Sequence, residues 1–319
     1  MTNAEVYAKQ DPAAHLEARR VLLPAYNVEV GPPSELRGER ERLDALEWPA
    51  FDVKRLGATV GAELSGIQLA GKLDDDMVAE IRRALLEFKV IFFRNQPMSP
   101  EEHVAFAERF GELEIHPFIP STTGVPALVR FDKDGESAGY ENGWHHDVTW
   151  RAEPSMGAIL RAVQVPPSGG DTLFADMAAA YDGLDDETRE FIDPLVAVHD
   201  FMLAFGRQFP ADRIDEVRAQ YPRVEHPVVR THPETGRRLI YVNPFFTDHI
   251  VGMSEADGRA LIGRLSGLAG LPEYQCRFRW EPNSIAFWDN RIVQHYAASD
   301  YWPARRIMER ASIKGDRPY

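Results

Sequence analysis

The chain has 319 residues, of which 44% are hydrophobic, and it carries a formal net charge of -14. This acidic balance argues against nucleic acid or an anionic membrane as the main partner, because both favour a basic surface. The single cysteine, Cys276, excludes an intrachain disulfide and a cysteine-built zinc or iron–sulfur site. The first residues contain neither a basic region nor an apolar run, so we expect a cytoplasmic protein without a signal peptide or membrane span.

Residues 1–47 differ in composition from the rest and are predicted to form an N-terminal arm. They are rich in charge, with a helix-compatible stretch over 12–21 and a proline-containing segment over 31–34. We expect the arm to pack on the main domain or on a partner subunit. Because such arms are often used as an oligomer interface, we expect a homo-oligomer. A partly ordered tail with no role in chemistry is the alternative. Residues 48–319 are predicted to form one large domain.

The main domain begins with alternating secondary-structure signals. Residues 51–56 are strand-like, and Asp74 is a candidate N-cap for a helix whose apolar residues recur at helical spacing up to Phe88. The aromatic and β-branched run at 90–93 predicts a buried strand. Ser99, followed by a proline and two glutamates, predicts the start of another helix.

The rest of the domain is predicted to be mainly β. Strand-like segments occur at 127–131, 157–165, 170–175, 224–230, 238–242, 277–280, 284–288 and 307–313, and one helix is predicted over 179–192. Many strands of five or six residues, separated by turns, are typical of a jelly roll. The sequence therefore predicts a mainly β fold with flanking helices (α+β).

One short segment, residues 143–150, carries a candidate metal site. On a strand, the side chains of His145 and Asp147 project from the same face, whereas His146 points the other way and is predicted to be partly exposed. His295, which follows a predicted strand and turn, offers a third ligand. Two imidazoles and one carboxylate on one face of an ion are the ligand set of non-haem Fe(II) oxygenases.

An oxygenase of this kind needs an electron-donating co-substrate in addition to O2. 2-Oxoglutarate would chelate the ion, and its distal carboxylate would need a rigid cation, for which the planar fork of arginine is suited. Arg305, Arg306 and Arg310 are candidates because all three follow His295. Strand alternation puts Arg306 and Arg310 on one face and points Arg305 outward. Thr172 could add a hydroxyl to the same carboxylate.

Four motifs resemble the taurine dioxygenase family of Fe(II)/2-oxoglutarate-dependent enzymes, which also contains alkylsulfatases and phenoxyacetate dioxygenases. They are Trp144–Trp150, Gly169–Leu173, Trp288–Arg291 with Gln294 and His295, and Arg305–Arg310. The likeness runs from about Phe51 to Pro318, with the motifs in the family's order. The resemblance implies a double-stranded β-helix. It implies that His145, Asp147 and His295 bind Fe(II), and that Thr172 and Arg306 bind 2-oxoglutarate.

The resemblance also implies a substrate pocket. Arg310 would lie where taurine-acting members hold the sulfonate, and His116 matches a substrate histidine. Val148, Phe205 and Phe246 would line the pocket, although ordinary core packing also explains the two phenylalanines.

Two positions depart from the taurine-acting members. Ile119 replaces a tyrosine, and Glu141 replaces an asparagine. These departures favour a small anionic substrate with a less polar body than taurine, such as another sulfonate or a sulfate ester.

Other functions stay open at this point. The same chemistry could act on a carboxylate or on a phosphate-bearing biosynthetic metabolite. A zinc hydrolase could use the same three ligands, but the chain lacks the His-Glu-x-x-His pattern of many such enzymes. That hydrolase would also leave Arg306 and Thr172 without a role. A binding protein without chemistry is disfavoured by the intact set of three ligands.

Overall fold

A computed structural model describes residues 21–23, 28–31, 33–116, 121–137, 139 and 141–319. The chain divides into two compact units, Met1–Leu46 and Glu47–Tyr319. In the first unit, strands β1 (Val21–Leu23) and β2 (Val28–Val30) pair antiparallel, and helix α1 spans Leu36–Asp44. Of the helix predicted over 12–21, only Val21 is described, and it belongs to β1. None of the described helices has the length and apolar character needed to cross a bilayer.

The second unit is built on a seven-stranded sheet. Its strands are β3 (Asp52–Arg55), β4 (Ala62–Ser65), β5 (Val90–Phe93), β6 (Leu128–Lys133), β7 (Gly157–Gln164), β15 (Ile285–Asp289) and β17 (Arg306–Ile313). Their order across the sheet is β3-β4-β5-β15-β7-β17-β6, and every pair is antiparallel except β4 with β5. The four residues of β5 are fully buried, as their apolar run predicts.

A second sheet packs against the first. Its three strands are β8 (Thr172–Asp176), β14 (Gln275–Phe278) and β16 (Val293–Ala297), in the order β14-β8-β16. Aromatic side chains fill the space between the two sheets. The ring of Phe92 in β5 stacks on Phe278 in β14 with 4.1 Å between centroids, and it meets Phe174 in β8 edge-on at 5.6 Å. The core therefore lies between the sheets. Strands β8 and β16 carry Thr172 and His295, two of the predicted site residues.

The remaining elements surround these sheets. Strands β9 (Val196–His199), β10 (Val224–Pro227) and β13 (Thr247–Ile250) form a three-stranded sheet, and β11 (Val229–Thr231) pairs with β12 (Arg238–Ile240). The helices are α2 (Asp75–Phe88), α3 (Pro100–Glu108), α4 (Met177–Asp182), α5 (Asp186–Ile192), α6 (Phe201–Phe205), α7 (Ile214–Gln220) and α8 (Glu255–Gly267). The result is a mixed architecture of helices and sheets.

Local sequence signals explain where several helices begin. Asp74 caps α2 by accepting a hydrogen bond from the Met77 N–H, as predicted. Ser99 and Glu102 form a reciprocal capping box at the start of α3. The helix predicted over 179–192 is in fact two helices, because Asp185 caps a new helix with its carboxylate on the Thr188 N–H.

The strand predicted over 224–230 is also two strands. Pro227 has no N–H to donate, and the Val228 N–H donates to Leu195 instead. The interruption lets β10 and β11 join different sheets.

Candidate active site

His145 and His295 come from distant parts of the sequence and meet at an isolated antiparallel bridge. The His145 N–H donates to the His295 carbonyl at 3.2 Å, and the His295 N–H donates to the His145 carbonyl at 2.9 Å. Residues that exchange both hydrogen bonds lie directly opposite each other. The two imidazole rings are therefore neighbours, with 4.3 Å between their centroids. His295 lies within β16, after β15 and the turn that follows it, as the sequence predicted.

Asp147 reaches the histidines through a turn and not along a strand. The prediction that His145 and Asp147 share a strand was wrong, because the chain turns after the bridge and Val148 has a φ of 51°. The side chain of Asn290 holds this turn. Its Oδ1 accepts from the Asp147 N–H at 2.6 Å, and its Nδ2 donates to the Asp147 carbonyl at 3.0 Å.

The three side chains fit a divalent metal ion. The Asp147 carboxylate lies 3.8 Å from His145 Nε2 and 3.9 Å from His295 Nε2, and all three donor atoms lie within 4.8 Å of one another. Two donors that each lie about 2.1 Å from an ion can be at most about 4.2 Å apart, so the ion could bridge both pairs. Within the described ranges, no other group of three histidine, cysteine or carboxylate donors has this arrangement.

A hydrogen bond at His145 and the burial of His295 also suit the two imidazoles to metal binding. His145 Nδ1–H donates to the Gly143 carbonyl at 2.7 Å, which leaves the lone pair of Nε2 free for an ion. Burial, with a smaller effect of His145, lowers the pKa of His295 to about 3, so its ring is neutral. Burial raises the pKa of the Asp147 carboxyl, but the charge and hydrogen bonds of Arg310 act against burial, and that pKa lies below its usual range.

Arg306 has the properties expected of a carboxylate receptor. Its side chain is buried, and its Nε and Nη2 have no hydrogen-bond partner in the described protein. A buried guanidinium without an anion is costly, so the site is suited to a carboxylate that arrives with a ligand. The rings of Trp280 and Tyr301 flank it at 6.0 and 5.7 Å from its Cζ. Burial lowers the pKa of Arg306, which still leaves the group cationic at neutral pH.

Thr172 lines the same cavity as Arg306 at the start of β8. The indole Nε1–H of Trp280 donates to Thr172 Oγ1 at 2.9 Å. Because the hydroxyl oxygen already accepts this bond, its own hydrogen is available for a carboxylate oxygen. Gly170, two residues earlier, has a φ of +72°, and a Cβ there would lie 3.2 Å from Arg306 Cδ and from the Tyr301 ring. The double glycine therefore lets the chain pass close to the arginine.

The predicted substrate residues line one cavity with the metal ligands. The cavity has a volume of about 1150 Å³ including its open mouth, and its walls include His116, Val148, Phe205, Phe246, Arg306 and Arg310. Burial, with a smaller contribution from Arg310, lowers the pKa of His116 to about 4. Glu141 also lines the cavity, 3.6 Å from the ammonium of Lys133. Ile119 lies outside the described residues.

Comparison with known proteins agrees with this geometry. The profile of the family described as "Taurine catabolism dioxygenase TauD, TfdA family" matches residues 52–312. The chain belongs to the TauD/TfdA family. The predicted enzyme class, a dioxygenase dependent on 2-oxoglutarate (alpha-ketoglutarate), is thereby confirmed at the level of the family.

Individual TauD/TfdA members are similar over most of their length. The chain is 38% identical over 278 residues to the alpha-ketoglutarate-dependent sulfate ester dioxygenase of Pseudomonas putida, covering 84% of this chain and 91% of that protein. It is 35% identical over 275 residues to the alkylsulfatase of Acinetobacter baylyi, covering 83% and 86%. Among solved structures, a taurine dioxygenase from Burkholderia xenovorans has a TM-score of 0.74 and 40% identity, covering 85% and 91% of the two chains.

Several residues that shape this TauD/TfdA site were not assigned a role from the sequence. Asn290 holds the Asp147 turn, Trp280 holds the Thr172 hydroxyl, and Phe245 lines the cavity beside His145. Nothing in a single sequence distinguishes these side chains from core residues, although Asn290 follows Trp288 and Asp289 within a resemblance motif. The prediction for His146 was wrong. Its ring is fully buried and packs 4.7 Å from Tyr241, because the turn at Asp147 points it into the interior.

Proposed function

We propose that this chain is an Fe(II)- and 2-oxoglutarate-dependent dioxygenase that hydroxylates a C–H bond of a small anionic substrate and releases succinate and CO2. A sulfate ester or another sulfonate is the favoured substrate. One observation carries the proposal: two imidazoles and a carboxylate converge in the same cavity as a buried arginine that has no anionic partner in the described protein. A metal site alone would not need that arginine.

Each predicted residue has a distinct part in this proposal. His145, Asp147 and His295 would hold Fe(II), which together with 2-oxoglutarate and O2 supplies the oxidising power for C–H hydroxylation when bound. Arg306 and Thr172 would bind the distal carboxylate of 2-oxoglutarate. Positioning is the main contribution of the protein, because correct placement of reactants removes a large entropic part of the barrier.

A second group of residues would bind the primary substrate. Arg310 and His116 would bind its anionic head group, and Val148, Phe205 and Phe246 would contact its carbon body. The relatives named as a sulfate ester dioxygenase and an alkylsulfatase support this substrate class. Hydroxylation of the carbon that bears a sulfate oxygen would give a product that collapses to an aldehyde and free sulfate.

The proposal also assigns the activity to residues 48–319 and leaves residues 1–47 as an arm outside the chemistry. The family profile, which begins at residue 52, supports this division. We further assign the two packed sheets to a double-stranded β-helix, the jelly-roll fold that the resemblance implies. The antiparallel order of the smaller sheet, β14-β8-β16, and the placement of His295 on it support that assignment.

The test uses metal chelation and turnover together. Under argon, Fe(II) and 2-oxoglutarate added to the protein should give the weak visible absorption of a metal–ketoacid chelate. With O2 and an accepted sulfate ester, succinate should form. His145→Ala should abolish both signals, whereas His249→Ala, at a half-exposed histidine outside the cavity, should keep both. Full turnover in the His145 variant would refute the metal assignment.

The same experiment separates the alternatives. If succinate forms only with carboxylates or phosphate esters, the proposed reaction is correct but the proposed substrate class is wrong. A protein that gives no chelate band, retains zinc tightly and hydrolyses an ester without O2 would be a hydrolase.

A further inference from the structure

Phe245 lies directly against the metal centre, although it is not a ligand. Its ring stacks on the imidazole of His145 with 4.8 Å between centroids and 27° between planes. The ring also covers Gly143, where a Cβ would lie only 2.0 Å from Phe245 Cε2. Part of the side chain is exposed, and that part faces the cavity. Phe245 therefore forms a wall of the cavity next to the position where a metal ion would be.

A hydrogen-bonded turn fixes the position of this ring. The side-chain oxygen of Asn243 accepts from the N–H groups of Phe245 at 3.2 Å and Phe246 at 3.1 Å. The Asn243 amide also donates to Thr149 Oγ1 at 3.2 Å, on the segment that carries Asp147. An asparagine that bonds the chain two and three residues on stabilises a turn locally. The turn and the metal-binding segment are thus one connected network.

Phe245 continues into a larger apolar surface, which we call the aromatic wall and define as Phe205, Phe245 and Phe246. The ring centroids of Phe246 lie 6.0 Å from Phe205 and 6.2 Å from Phe245. The side chains of the aromatic wall offer no hydrogen-bonding group. A polar substrate body placed there would lose its hydrogen bonds to water, whereas an apolar body would gain from burial. Arg310 and His116, which also line the cavity, lie on other segments, where the guanidinium and a ring N–H would bind the charged end.

We propose that Phe245 is a specificity-determining residue that selects anionic substrates with an apolar alkyl or aryl body. The inference rests on the proposed function, because it takes the anion to be held at Arg310 and the reacting carbon near the metal ligands. The body of the substrate then extends along the aromatic wall. A short zwitterion such as taurine gains little from this surface, since its ammonium group has no hydrogen-bond acceptor there.

The test measures how binding depends on chain length. Protein loaded with Mn(II) and 2-oxoglutarate under argon, where no turnover occurs, is titrated calorimetrically with ethyl, butyl and hexyl sulfate. For the unchanged protein, affinity should rise about fourfold for each added methylene that becomes buried. In Phe245→Ala the increase should fall to about twofold per methylene. The affinity of the variant should therefore fall tenfold or more for hexyl sulfate and less than threefold for ethyl sulfate.

Two variants serve as controls. Phe245→Leu keeps an apolar side chain and should keep most of the length dependence. Phe191→Ala removes an exposed phenylalanine on α5, outside the cavity, and should behave as the unchanged protein. The metal–2-oxoglutarate absorption band, measured with Fe(II), should be the same in all of these proteins.

The outcomes are distinguishable. Two results would overturn the specificity role: an equal loss of affinity for all chain lengths in Phe245→Ala, or loss of the absorption band in both the Ala and the Leu variants. In either case Phe245 would only support the metal site. If the unchanged protein neither binds nor oxidises any sulfate ester or sulfonate, both the proposed function and this inference are wrong.

Discussion

The guanidinium Nη1 of Arg310 lies 3.2 Å from each of the two carboxylate oxygens of Asp147. Both side chains are largely buried, at 13% and 11% exposure, so solvent and salt screen this ion pair only weakly. The cation proposed to bind the substrate is therefore held by one of the proposed metal ligands. A substrate anion on Arg310 would have a fixed position relative to the metal, which is what selective attack on one C–H bond requires.

Arg310→Gln should weaken primary-substrate binding far more than 2-oxoglutarate binding. Loss of one member of a desolvated charge pair costs about 2–5 kcal/mol, so the affinity for a sulfate ester should fall by about 30-fold or more. The affinity for 2-oxoglutarate should change by less than about threefold, because the carboxylate site proposed at Arg306 is unchanged. Anaerobic titrations of the two ligands measure both effects. Equal losses for the two ligands would show that Arg310 has no selective role.

Arg306→Gln should have the opposite pattern and reduce 2-oxoglutarate affinity by about 30-fold or more, on the same energetic grounds. Arg305→Gln is a matched control one residue away. Arg305 is 52% exposed and pairs with Asp132 on the surface, as strand alternation predicts. An exposed ion pair contributes little to stability, so this variant should bind 2-oxoglutarate as the unchanged protein does. Titration of the chelate band gives both affinities, and similar losses in the two variants would contradict the assignment.

The sequence alone predicted which side chains would meet but not how the chain brings them together. His145, Asp147 and His295 do converge, yet strand alternation was the wrong reason for the first pair. The turn at Asp147 depends on the amide of Asn290, which lies more than 140 residues away. Such long-range hydrogen bonds have no periodic signal in the sequence. Alternation at the start of β17 is local, and it correctly predicted an outward-pointing Arg305 directly before the buried Arg306.

The same distinction applies to the fold. Local caps such as Asp74 and Ser99 predicted helix starts correctly, because a cap and its partner lie within three residues. The interruption at Pro227 is also a local feature, and the proline in the sequence could have predicted it. The position of Phe245 in the cavity was not predictable, since a phenylalanine that lines a cavity and one that fills a core have the same sequence context.

Gly143→Ala should disrupt the proposed metal site, because the new Cβ would lie 2.0 Å from the Phe245 ring and one of the two must move. Overpacking of this kind costs about 1–3 kcal/mol. The displaced segment carries the carbonyl that orients His145, so the chelate band should weaken. Phe245→Ala introduced into the same chain removes the clash and should restore the band.

A helical glycine provides the control for that variant. Gly263 is exposed in α8, and a Cβ there meets nothing within 4 Å. Gly263→Ala should leave the band unchanged and raise the free energy of unfolding by about 0.5–1 kcal/mol. If the Gly143 and Gly263 variants have the same band intensity, Phe245 does not pack on Gly143 as described.

His103 in α3 should make the fold sensitive to acid. Its ring is fully buried, Nε2–H donates to the Ile159 carbonyl at 3.1 Å, and burial lowers its pKa from 6.5 to about 4. The unfolded chain therefore binds a proton between these two pH values that the folded chain does not bind. The free energy of unfolding should fall as the pH drops through this window, by up to about 3 kcal/mol from this histidine. Urea unfolding of metal-free protein at pH 7, 6, 5 and 4 measures this effect. The free energy of unfolding should decline less steeply with falling pH in His103→Gln than in the unchanged chain, even if the variant is less stable at pH 7. Parallel curves would mean that His103 is protonated equally in the folded and unfolded states.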